Sequence, residues 1–142
     1  MDLKQLKKNL KYDTYTRLFP DAHGGVGVFA IKDIPKGANP FKINNAPCMP
    51  HKIVDVPDSF VQTLDSNVKK IISDFYVLEN GKWGIPKPGI NANDITFYLN
   101  YSQTPNLKII NSKKCNMVIF KTLKDIPKGE ELLINYDVYY KN

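Results

Sequence analysis

The seven residues IKDIPKG at 31–37 return as LKDIPKG at 123–129, six of seven letters unchanged at an offset of 123 − 31 = 92. A chain of 142 residues has length for one core but not for two, so this spacing argues against a tandem pair of domains. The flanks argue the same way, because GVGVFA precedes the first copy whereas EELLINYD follows the second. Each copy reads as a strand that leaves into a Pro-Lys-Gly turn. Used twice in one domain, such turns bracket the parts between and beside them.

The stretches around these turns are mostly short strands. TYTRLFPDAHGGVGVFA places β-prone residues on both sides of a glycine corner. Leu107–Ile110 and Met117–Leu123 alternate as strands about a loop, and LKDIPKG turns into EELLINYD. The middle of the chain differs. Phe60, Val61, Leu64, Val68, Ile71, Ile72 and Phe75 recur at helical spacing after Pro57 and Asp58, which predicts one amphipathic helix over about 58–74. Asn80-Gly81 then predicts a tight hairpin between Tyr76–Leu78 and Lys82–Ile85, and Asn93 or Asp94 is placed to cap a short helix ending near Leu99. Pro105 and Asn106 read as turn formers. The fold class expected is α+β, mostly β, with a helix and hairpin inserted mid-chain.

Several functions are excluded or left without support. No run of apolar residues is long enough to span a bilayer, and MDLKQLKKNLK lacks the apolar core of a secretory signal, so no membrane association and an intracellular location are expected. Cys48, Cys115, His23 and His51 stand at no ligand-like spacing from one another; no metal site is expected, and the two cysteines read as reduced thiols. The first residues, with Leu3, Leu6 and Leu10 among four lysines, read as a basic helix or a solvated arm. That arm and the net charge of +6 motivate a small basic nucleic-acid-binding protein, but no recognisable motif accompanies them. Nucleic acid is not expected as a direct ligand.

Three segments taken in order, GGVGVFAIKDIPKG, YLNYSQTPN and KDIPKGEELLINYD, resemble the SET-domain family of protein-lysine methyltransferases. The family's Gly-x-Gly, Asn-His-Ser with Pro-Asn, and Glu-Leu segment ending in Tyr stand here as Gly25-Val26-Gly27, Asn100-Tyr101-Ser102 with Pro105-Asn106, and Glu131-Leu132 ending at Tyr136. The resemblance covers about residues 14–140, leaving a basic arm at 1–13 and placing a variable insert at about 48–90. It implies a fold of small curved sheets whose C-terminal segment tucks under the NYSQTPN loop, as in a pseudoknot. It also implies S-adenosylmethionine as cofactor and the ε-amine of a protein lysine as acceptor, histone or other. Small relatives dimerise, so a homodimer is an open possibility.

By that resemblance Gly25, Val26, Gly27, Asn100, Tyr101 and Tyr136 lie against the cofactor, and Tyr136 is the catalytic tyrosine. Glycine at 25 and 27 would let the backbone approach a ligand closely. Asn100 offers an amide that both accepts and donates, suited to the amino-acid end of the cofactor. Methyl transfer from a sulfonium needs positioning more than acid or base chemistry, so Tyr136 is expected to orient the amine. Tyr98, Ile134, Tyr139 and Tyr140 are candidates for the lysine channel, the last two as an aromatic lid in place of the family's C-terminal zinc segment. Ile134 replaces an aromatic that helps set how many methyl groups enter, which leaves product multiplicity open. Tyr101 for His and Ile134 for an aromatic also motivate an alternative, a catalytically weak module that binds cofactor or peptide. Asp55, Asp58, Asp65 and Asp74 are candidates for an acidic groove that would draw a basic substrate.

Overall fold

The computed structural model describes residues 2–41, 52–112, 117–136 and 139–141. In chain order its strands are β1 (Thr16–Pro20), β2 (Val26–Ala30), β3 (Ile53–Pro57), β4 (Leu78–Glu79), β5 (Lys82–Pro86), β6 (Asn100–Tyr101), β7 (Leu107–Ser112), β8 (Met117–Thr122), β9 (Glu131–Ile134) and β10 (Tyr139–Lys141). The helices are α1 (Leu3–Tyr12), α2 (Asp58–Val61) and α3 (Ser66–Phe75). Among the described residues strand exceeds helix, in keeping with the α+β class dominated by small sheets. The chain divides into two compact units, one from residues 1–49 and 98–142, the other from 50–97.

In the first unit, the order β1-β2-β9-β6 makes a four-stranded sheet and β10-β7-β8 a three-stranded one. β9 runs antiparallel to β2 and parallel to β6, so the strand that follows the second KDIPKG is clasped between the glycine hairpin and the Asn100 segment. Alternation along β2 and β9 sends Val28, Ala30, Leu132 and Ile134 into the core with Leu99, Leu107, Ile109, Ile110, Ile119 and Phe120. The N-terminal residues form α1, capped by the Asp2 side chain on Lys4 N at 2.9 Å, and bury none of their side chains. Lys32 Nζ donates to the last carbonyls of α1, Lys11 O at 3.0 Å and Tyr12 O at 3.2 Å, a cation at the negative end of the helix dipole.

The two KDIPKG copies pair with each other. Ile34 N donates to Ile126 O and Ile126 N to Ile34 O, both at 2.8 Å. Lys36 N donates to Asp125 Oδ1 at 2.8 Å and Lys128 N to Asp33 Oδ1 at 2.9 Å, so each copy's aspartate caps the other copy's turn. Gly37 N reaches Thr122 O at 3.0 Å and Gly129 N reaches Ala30 O at 2.8 Å, each glycine bonding to the residue just before the other copy. Gly37 and Gly129 have φ of 84° and 91°, the conformation that requires glycine at the third position of such a turn. Identical sequence is thus explained by a local two-fold relation: whatever one turn presents, the other must accept. Ile34 and Ile126 are sealed inside this clasp at 1% and 0% exposure. Ile126→Val is therefore expected to lower stability by about 1 kcal/mol, read as a fall in the urea midpoint at unchanged m-value.

The second unit carries the sheet β3-β5-β4, and Val61, Ile72 and Tyr76 form its core with Trp83, Ile85 and Phe97 packed against them. The single helix expected over 58–74 is two helices. Asp65 accepts from Asn67 N at 2.8 Å and starts α3 afresh, while Thr63 Oγ1 donates to Phe60 O at 2.6 Å and closes α2. The hairpin turns at Asn80 and Gly81, with φ of 53° and 75°, but β4 begins at Leu78 and holds two residues. Asp94 caps a 3-10 turn over Ile95–Tyr98, accepting from Thr96 N at 2.9 Å. Three of the four carboxylates considered for an acidic groove are already engaged. Asp58 accepts from Trp83 Nε1 at 2.9 Å, Asp65 caps α3, and Asp74 pairs with Lys70 at 3.2 Å. Asp55 is exposed on β3.

Candidate active site

The corner between β1 and β2 is built by one carboxylate. Asp21 N donates to Gly25 O at 3.0 Å, and Asp21 Oδ1 accepts from His23 N at 2.8 Å and Gly25 N at 2.9 Å. The backbone N–H groups of His23 and Gly25 hold this carboxyl below its usual range and keep it ionised. Gly24, at φ 82°, makes the positive-φ step. The protein's own side chains also bear on Gly25 and Gly27. A Cβ on Gly25 would lie 3.1 Å from Asp21 Oδ2, and one on Gly27 would lie 2.9 Å from Glu131 Cδ and 3.0 Å from Asn100 Nδ2. The space beside both is taken by the protein's own polar side chains.

Asn100 is where these groups meet. Its Nδ2 donates to Glu131 Oε2 at 2.7 Å, Asp21 Oδ2 at 3.0 Å and Val26 O at 3.3 Å. The chain then runs beside β9: Ser102 N donates to Ile134 O at 2.8 Å and Asn106 N to Leu133 O at 3.2 Å. Asn106 is more than the turn former expected. It is 5% exposed, its Nδ2 donates to Glu131 O and its Oδ1 accepts from Leu133 N, both at 2.8 Å. The side-chain amide thus copies a peptide group and pairs with the β9 backbone on both counts. With the Ser102 and Asn106 backbone bonds and the β6–β9 pairing, this side chain fastens residues 100–106 to β9.

Tyr136 follows β9 by two residues and is half-buried. Its hydroxyl donates a hydrogen bond to Leu99 O, adjacent in sequence to Asn100. The Tyr101 ring lies tilted by 31° to the Tyr136 ring at a centroid distance of 5.7 Å, and Tyr101 is 45% exposed. Gly25, Val26, Gly27, Asn100, Tyr101 and Tyr136 are therefore linked through one set of contacts, to which Asp21 and Glu131 belong as well. Glu131 stands in the Glu-Leu motif segment, but its contact with Asn100 does not show in the sequence, and Asp21 reads there as an ordinary surface acid until the sheet brings the two to one amide. Ile134 pairs with Tyr101 in the β9–β6 register and is buried in the core at 4% exposure. Tyr98 ends the 3-10 turn and is half-buried. On the backbone, Tyr139 and Tyr140 pair in parallel with Ile109 and Ile110. Their side chains, where an aromatic lid was expected, lie outside the described residues, as do Cys48, His51 and Cys115.

Burial pushes the Tyr136 phenol above its ordinary value near 10. It is neutral through the physiological range, and its proton is committed to Leu99 O, which leaves the oxygen lone pairs as acceptors. Because ionisation is easier in the unfolded chain, this group's share of stability is held below pH 10 and lost as pH rises through and beyond it. An ultraviolet titration of Tyr136→Phe, set against wild type, is expected to lose a late-ionising step.

The sequence pattern of the SET domain matches residues 25–137, four-fifths of the chain, and takes in Gly25, Val26, Gly27, Asn100, Tyr101, Glu131 and Tyr136 but not Asp21. The chain belongs to the SET-domain family. No curated protein matches it. Among solved structures, this SET domain is similar to a Plasmodium falciparum protein provisionally named a histone methyltransferase. The two are 18% identical with a TM-score of 0.53, over 87% of this chain and 93% of that one. It is also similar to the methyltransferase domain of human PR domain-containing protein 2, at 24% identity and a TM-score of 0.52, over 90% of this chain and 77% of that one. A Chaetomium thermophilum Polycomb Repressive Complex 2, a humanized mutant bound to an inhibitor, shares 22% identity at a TM-score of 0.53. There the match covers 87% of this chain and 15% of that one. At these identities the likeness shows a shared fold.

The residues present fit S-adenosylmethionine by the chemistry of their donor set. With the Asn100 N–H groups committed to acceptors, its Oδ1 is left as an acceptor for an ammonium. Val26 and Tyr101, each 45% exposed, leave surface beside it for an adenosyl group. No group of His, Cys, Asp and Glu able to hold a metal occurs among the described residues, and none of their helices is long and apolar enough to cross a membrane.

Proposed function

We propose that this SET domain transfers a methyl group from S-adenosylmethionine to the ε-amine of a protein lysine. The observation that carries this reading is the Tyr136 hydroxyl, anchored on Leu99 O one residue from Asn100, in a chain of the SET family. The cofactor supplies an activated methyl on a sulfonium, and the protein's task is to hold the acceptor nitrogen in line with it. Tyr136 contributes an oxygen whose proton is already given to Leu99 O, so it accepts a hydrogen bond from the substrate amine and aims the nitrogen lone pair. A neutral phenol is a poor base near pH 7; the amine loses its proton to solvent, helped by desolvation and by the neighbouring positive charge. Asn100 holds the amino-acid end of the cofactor, and Tyr101 flanks Tyr136 with an aromatic surface.

The test is transfer of a tritiated methyl group to histones, ribosomal proteins and a cell lysate, followed by acid hydrolysis. Label recovered as methyl-lysine is the expected result. Label absent from every pool, with the cofactor bound, would favour the binding-module alternative that Tyr101 and Ile134 motivate.

A further inference from the structure

Asp21 and Glu131 stand far apart in the chain, yet both end on one nitrogen. Asn100 Nδ2 lies 3.0 Å from Asp21 Oδ2 and 2.7 Å from Glu131 Oε2, with Val26 O at 3.3 Å. A primary amide is nearly symmetric in shape and can be turned over with little change in packing. Here it cannot. The turned-over amide would set Oδ1 against two carboxylate oxygens, and in place of charge-assisted hydrogen bonds there would be repulsion. The nitrogen end is therefore fixed, and planarity directs Oδ1 away from the acids. Among the described residues no hydrogen-bond donor reaches Oδ1. Gly25 and Gly27 belong to the same arrangement, since a Cβ on either would press on Asp21 or on Glu131 and Asn100.

We infer that Asp21 and Glu131 are positioning residues: they lock the Asn100 amide so that Oδ1 accepts from the α-ammonium of S-adenosylmethionine, and their two negative charges favour that cationic end. This inference rests on the methyl-transfer reading above and adds two residues to it. Asp21 lies before the matched span of the family pattern, at 25–137, so it is read from this structure's own geometry.

The test separates the amino-acid end of the ligand from the rest. Wild type, Asp21→Asn and Glu131→Gln are titrated calorimetrically with S-adenosylhomocysteine, which carries the α-ammonium, and with 5′-methylthioadenosine, which lacks it. Asp21→Asn keeps the shape of the loop but turns an N–H toward Asn100 Nδ2, which releases the amide to turn over. Affinity for S-adenosylhomocysteine is expected to fall about tenfold or more in either variant, with affinity for 5′-methylthioadenosine unchanged. Equal losses on both ligands would reduce the acids to a structural role and overturn the inference, and so would no loss on either. Wild type that binds neither ligand would overturn the methyl-transfer reading itself. Should one variant fail to fold, the other carries the comparison, and thermal midpoints within a few degrees of wild type verify that each is intact.

Discussion

Tyr136→Phe is expected to lower the rate of methyl transfer by about two to three orders of magnitude, with S-adenosylhomocysteine affinity kept within about tenfold. The substitution deletes one oxygen and leaves the ring against Tyr101. What disappears is the acceptor that aims the substrate amine, an interaction realised chiefly as the nitrogen approaches the methyl group, so the loss falls on kcat more than on KM. Leu99 O also loses its donor, at a cost of about 1 kcal/mol in stability, too little to unfold the domain. Steady-state kinetics with a methylated product counted by mass spectrometry reads both parameters. Full activity in the variant would remove Tyr136 from the reaction.

The largest effect on stability is expected at Asn106. Asn106→Ala deletes two hydrogen bonds at once and leaves Glu131 O and Leu133 N, both on β9, without these partners in a site where Asn106 itself is 5% exposed. Two orphaned buried groups at about 1–3 kcal/mol each give an expected loss of about 3 kcal/mol or more. The consequence extends to the site, because β9 carries Glu131 and leads to Tyr136. Asn106→Asp is no rescue: it keeps the acceptor for Leu133 N but sets a carboxylate oxygen against Glu131 O. Urea denaturation of both variants measures the loss, and a change below about 0.5 kcal/mol in Asn106→Ala would mean that the tuck is held elsewhere.

Local chemistry was legible in the sequence wherever a residue type forces a backbone geometry. The Asn80-Gly81 hairpin and the two Pro-Lys-Gly turns are of this kind, and so is the Asp94 cap. The break between α2 and α3 was hidden because Val61, Leu64 and Val68 keep helical spacing across it, and periodicity does not register where the hydrogen-bond ladder stops. Long-range pairings were hidden for a different reason. Nothing local in IKDIPKG says that Ile34 will face Ile126, although the near-identity of the copies is the trace of that symmetry. The family's motif residues, Glu131 among them, were recognisable at the site, yet Asp21 was not, and neither was the meeting of the two acids on Asn100, which follows from the strand order β1-β2-β9-β6. Asn106 looked like a turn residue because its amide mimics a peptide group, and only the neighbouring strand shows which use is made of it.

The most direct test of the central claim is a titration of the isotopically labelled protein with S-adenosylmethionine, followed by the backbone amide resonances. Saturable shifts are expected, with a dissociation constant of about 1–100 μM. They should centre on Gly25, Val26, Gly27, Asn100, Tyr101 and Tyr136. No shift up to about 1 mM cofactor, or shifts confined to residues 50–97, would contradict it.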